Sequence, residues 1–113
     1  MKFHDDIVMD LKKWIASNLS EKIVIDVISE RSGYSKWYVQ RLFRKVTGIT
    51  LATYVRQQRL SKASCELINT NHTIAYIALQ NGFADQQTFH RVFARYYKQA
   101  PSKWRKNQSA GRG

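Results

Sequence analysis

The sequence predicts an all-α protein of about seven helices, in which two copies of a small helical unit flank one long central helix. Three observations predict it. Apolar residues recur at spacings of three and four, and no sustained alternation of the strand kind interrupts them. One Pro and five Gly punctuate 113 residues, so helical runs are seldom broken. A pattern in residues 25–35 also returns 49–50 residues later.

Ile7, Val8, Leu11, Trp14, Ile15 and Leu19 form one stripe and predict a first helix over about 5–18. A short helix follows over about 25–31, with Val27 and Ile28 directed inward and Gly33 ending it. Ser35 suits the N-cap of a third helix, about 36–46, which stops near Gly48. Leu51 to Ile68 is a longer unbroken helical stretch. Thr73 caps a helix over about 74–80, Gly82 ends it, and Asp85 caps another over about 86–97. Beyond Pro101 a short helix anchored by Trp104 closes the fold near 106. Residues 107–113, polar with Gly and Ser, read as a disordered tail. The expected organisation is therefore a subdomain over 1–50, a linker helix over 51–68 and a second subdomain over 69–106.

The recurrence is specific. Ile25, Ile28, Ser29, Gly33, Tyr34 and Ser35 are answered by Ile74, Ile77, Ala78, Gly82, Phe83 and Asp85. The following helices also align, Val39, Arg41, Leu42 and Phe43 with Phe89, Arg91, Val92 and Phe93. Two helices that meet steeply over a short turn need a glycine in the turn and a small residue where they cross. Gly33 and Gly82 supply the turn, and Ser29 and Ala78 the small side. This is the helix-turn-helix pattern, whose second helix normally enters the DNA major groove.

Charge points the same way. The chain carries 19 Lys and Arg against 8 Asp and Glu, net +11. Residues 1–31 hold five basic and six acidic side chains. Residues 32–113 hold 14 basic and only two acidic ones, Glu66 and Asp85, for +12. A positive field of that density suits a polyanion, nucleic acid above all. Other classes lack support. The apolar runs are far shorter than the ~18–20 residues of a membrane span. The N-terminus has no apolar signal region, which predicts a cytoplasmic protein. His4, His72 and His90 are scattered and Cys65 is the sole cysteine, so neither a metal site nor a cysteine nucleophile is expected. Without a glycine-rich phosphate loop either, the chain reads as a non-enzyme without cofactors.

At ~100° per residue, Val39, Leu42, Phe43 and Val46 cluster on the side of the third helix opposite Trp37. Arg41 and Arg44 fall beside Trp37, with Lys36 and Gln40 flanking. In the sixth helix Phe89, Val92, Phe93 and Tyr96 point inward, while Gln87 and Arg91 point out among Gln86, Thr88, His90 and Arg95. Neither outward face has a carboxylate past its cap. Arg bonds guanine O6 and N7 bidentately, and Gln pairs with adenine N6 and N7. Trp37, in the first turn and opposite a complete apolar stripe, suits packing on a sugar or a thymine methyl.

The run Gly33 to Phe43, then Tyr54, Val55, Arg56, Arg59 and Leu60, then Gln86 to Phe93 and Ala100 to Ser102, resembles the AraC/XylS family of bacterial transcription activators. The likeness is greatest to its small stand-alone members, which activate superoxide-response and multidrug-resistance genes, and it spans about residues 7–106. It implies a seven-helix monomer whose two recognition helices read adjacent major-groove segments of an asymmetric promoter. It implies base-region contacts by Trp37, Gln40, Arg41, Gln86, Gln87, Thr88 and Arg91, backbone contacts by Lys36 and Arg56, and recruitment of RNA polymerase. The longer members carry a ligand-sensing domain for which this chain has no room, which implies control by abundance. Two positions depart from the pattern. Val24 stands where a Ser or Asn cap is usual, a loss of ~1 kcal/mol, and His90 stands where a small hydroxyl residue is usual. On composition alone, a non-specific architectural DNA binder or a basic RNA-binding protein stays open. The paired Gln/Arg faces argue against the first, and the lack of an aromatic stacking platform against the second.

Overall fold

The computed structural model describes residues 2–19 and 25–112, and within them seven helices and no strand. The helices are α1 (Lys2–Ser17), α2 (Ile25–Ser32), α3 (Lys36–Thr47), α4 (Leu51–Asn69), α5 (Ile74–Gln80), α6 (Gln86–Tyr97) and α7 (Pro101–Arg112). The bounds of α5 and α6 match the sequence expectation, and those of α2, α3 and α4 match within a residue. The reason is local chemistry. Ser35 Oγ accepts from the Tyr38 N–H at 3.1 Å, Thr73 Oγ1 from the Tyr76 N–H at 3.1 Å, and Asp85 Oδ1 from the Thr88 N–H at 2.7 Å. Each fills one of the unpaired donors of a first helical turn.

The chain divides into two compact units, residues 1–58 and 59–113. In the first unit α1 and α2 both pack on α3, around a core that includes Val8, Ile15, Ile28, Val39, Leu42 and Phe43. Leu51 and Val55, in the first turns of α4, belong to this core. In the second unit α6 packs against α5 and α7, around Ile77, Ala78, Phe89 and Phe93. Leu60, Ala63 and Leu67 bring the rest of α4 into that core. Each large side chain so buried contributes about 1.5–3 kcal/mol. Each half of α4, the helix expected to link the two units, is thus part of a core.

The two copies of the helix-turn-helix close their turns differently. Gly33 and Gly82 both have positive φ, +78° and +84°. In the first unit the Gly33 N–H donates to the Ser29 carbonyl at 3.0 Å, and the Ser29 hydroxyl donates across the turn to the Tyr34 carbonyl. In the second, Ala78 has no hydroxyl. The Phe83 N–H reaches the Ala78 carbonyl at 3.0 Å and the Gly82 N–H the Leu79 carbonyl at 3.1 Å, the crossed pair of a Schellman-type ending.

Several expectations change. Val27, Val46 and Tyr96 are exposed rather than inward. Periodicity gives the direction of a side chain, but not how far the neighbouring helix reaches to cover it. The closing helix does not stop near 106, and residues 107–112 are helical. Lys, Gln and Ala favour helix, no Gly or Pro intervenes before Gly111, and Asn107 Nδ2 donates to Gln99 Oε1 at 3.1 Å. Helix α1 begins three residues earlier than expected. Val24, the missing cap, lies outside the described residues.

Candidate nucleic-acid interface

Helix α3 is fixed by its Ser35 cap at one end and by Gly48 at the other, whose N–H donates to the Arg44 carbonyl at 2.8 Å. With Val39, Leu42 and Phe43 buried, the opposite face must be outward. Lys36, Trp37, Gln40, Arg41 and Arg44 are all exposed there, Trp37 at 65%. Trp37, Gln40, Arg41 and Arg44 share one shallow groove with Thr50, Leu51 and Ala52 at the start of α4. The Arg41 guanidinium lies over the Trp37 ring, 4.9 Å from its centroid. Lys36 Nζ pairs with the Asp26 carboxylate of α2, both side chains being more than half exposed. Such a surface pair contributes about 0–1 kcal/mol, and Lys36 is readily exchanged to another anion. Arg56 is exposed on α4 and does not line the groove.

Helix α6 repeats the arrangement with different chemistry. Phe89 and Phe93 are buried, and Gln86, Gln87, His90, Arg91 and Arg95 are exposed. Thr88 is half-buried. Its backbone N–H donates to Asp85 Oδ1 at 2.7 Å, and hydrogen bonding from Thr88, helped by the charge of Arg91, holds that carboxylate below the usual carboxylate range. At the far end of α6, Lys98 takes a left-handed conformation, φ +63°, at the position that Gly48 occupies in the first unit.

Every residue singled out from the sequence lies on α3, α4 or α6, and all but Thr88 are exposed. Unread in the sequence were the edge of the groove at Thr50 to Ala52 and the stacking of Arg41 on Trp37. The second was legible, since residues four apart on a helix are neighbours. Among the described residues no three His, Cys, Asp or Glu side chains form a possible metal site. No helix among them is long and apolar enough to cross a membrane.

Known proteins of the same kind exist. A family model described as a helix-turn-helix domain matches residues 28–107. The regulatory protein SoxS of Escherichia coli (strain K12) is 47% identical over 102 residues, covering 90% of this chain and 95% of SoxS. The multiple antibiotic resistance protein MarA of the same strain is 40% identical over 98 residues, covering 87% of this chain and 77% of MarA. In fold, the DNA-binding domain of the global transcriptional factor AdpA, crystallised in complex with a target DNA, matches with a TM-score of 0.88. That match has 22% identity and covers 93% of this chain and 95% of AdpA's.

Proposed function

The chain belongs to the AraC/XylS family of helix-turn-helix transcription activators, and on that premise we propose how it acts. It binds an asymmetric promoter site in double-stranded DNA, with α3 and α6 in adjacent major-groove segments. Arg41 and Arg91 read guanine, and Gln40, Gln86 and Gln87 read adenine edges. Thr88 and His90 lie against the second segment, Lys36 and Arg56 hold phosphates, and Arg44 and Arg95 add to the positive field. The bound chain recruits RNA polymerase to genes of stress defence or multidrug resistance. It works in the cytoplasm as a monomer.

The observation that carries this reading is one Arg/Gln face per unit, each exposed and opposite a buried face, in a chain with +12 over its last 82 residues. A non-specific binder has no need of two such faces. Footprinting on promoter fragments at physiological salt tests it. Discrete asymmetric protected sites are expected, and uniform coverage would instead identify an architectural protein.

A further inference from the structure

We propose that Trp37 is a positioning residue, whose ring holds the Arg41 guanidinium ready for its base. The inference rests on the reading of Arg41 as a base contact. The tryptophan has no part in the packing of its own unit. It is 65% exposed on the face of α3 away from Val39, Leu42 and Phe43, so it supports no core. One turn later Arg41 lies 4.9 Å from its ring centroid, within the ~6 Å reach of a cation–π contact.

The chemistry of that contact suits a reader. Arginine carries much rotamer freedom, which must be lost when its fork meets a base edge. A carboxylate partner would restrict it too, but would occupy the N–H groups that guanine needs. An aromatic face attracts the cation without accepting those hydrogens. Among the described residues no carboxylate pairs with Arg41, and α3 contains none. The second unit lacks this device. Gln87 stands where the repeat places Trp37, and Arg91 instead lies in electrostatic reach of the Asp85 cap. Arg91 is therefore an internal control.

The experiment is a gel-shift double-mutant cycle on a footprinted site, with each base pair varied in turn. Arg41→Ala first identifies the pair that Arg41 reads. Trp37→Leu should then lower discrimination at that pair by about two- to fivefold, the worth of an exposed cation–π contact. Trp37→Phe should keep most of it, and Trp37→Leu should change nothing at that pair once Arg41→Ala is present. Discrimination at the pair read by Arg91 should stay constant. NMR of the free protein supplies a second readout. The Arg41 side-chain protons should show ring-current shifts that vanish in Trp37→Leu while those of Arg91 do not move. If Trp37→Leu weakens all sequences alike, with or without Arg41, the ring acts on DNA directly and the proposal is overturned. If Arg41→Ala leaves every base preference unchanged, Arg41 is no reader, and the proposal falls with that premise whatever the NMR shows.

Discussion

Arg105 of α7 completes a helix to which it does not belong. Its Nε donates to the Leu67 carbonyl at 2.7 Å, and Nη2 to the carbonyls of His72 at 2.7 Å and Thr70 at 3.3 Å. The last carbonyls of α4 have no partner within their own helix. Arg105→Ala should lower stability by about 1.5–3 kcal/mol, the range for hydrogen bonds to a charged group. Arg105→Lys should recover only part, for want of the planar fork, and thermal melts of both variants check this. The caps are the next case. Ser35→Ala should lower stability by about 0.5–2 kcal/mol, and unchanged melting would mean that α3 does not depend on its cap. Asp85 adds a pH dependence. Its folded pKa is depressed from the ordinary 3.8, by Thr88 first and Arg91 after. Its stabilisation is therefore present above the unfolded value and lost as pH falls through the folded one. Asp85→Asn keeps a capping oxygen but cannot titrate, so its acid melting limb should be shallower than that of the wild type. On the reading faces, Arg41→Ala and Arg91→Ala should each cost ~1–3 kcal/mol and relax one base position. Lys36→Ala should weaken all sequences alike and flatten the salt slope by about one unit. Arginine variants that behave like the lysine variant would reverse the assignment of roles.

Among the helices, α4 carries the most because it serves two cores. Leu51 and Val55 form a short stripe for the first, and Leu60, Ala63 and Leu67 form another for the second, in steps of three and four. The Trp104 Nε1–H donates to the Ser64 carbonyl at 3.2 Å, and Asn81 Nδ2 to Glu66 Oε1 at 2.8 Å. The second half of α4 is thus tied to the C-cap of α5 and to α7 by polar contacts as well as packing. Exposed Ser61 lies between Leu60 and Ala63. Ser61→Pro removes a helical N–H and places a ring against the preceding turn, at about 3 kcal/mol. Specific binding should fall more than non-specific binding, because phosphate contacts need less exact placement than base contacts. A gel-shift titration on a cognate and a scrambled fragment measures both. Equal losses would show that an intact α4 matters only for folding.

On the proposed function, two readers on one chain act by proximity, since the first binding event raises the effective concentration for the second. An insertion of about 5 bp, half a helical turn, between the two half-sites presents the second major groove on the far side of the duplex. High affinity should then be lost, while binding to either half-site alone is unchanged. Equal affinity for both spacings would mean that the units bind independently. Salt separates the contributions further, because each phosphate neutralised adds about 0.9 to the slope of log K against log salt.

The sequence by itself determined the helices, their caps and the duplicated turn, because these depend on contacts within a few residues. Ser35, Thr73 and Asp85 sit three residues before the N–H groups they accept from. The outward placing of Trp37, Arg41, Gln87 and Arg91 follows equally from helical phase. Tertiary structure alone decided what depends on a partner remote in sequence. The pairing of Arg105 with the end of α4 and the segment after it joins residues 33 to 38 apart, and that of Trp104 with Ser64 joins residues 40 apart. The division of α4 between two cores has the same origin. An unbroken helical pattern shows that a helix runs from Leu51 to Ile68, but not which neighbours cover each turn. Val46 and Tyr96 are exposed for the same reason: the period sets their direction, and only the packed neighbours decide whether anything meets them there.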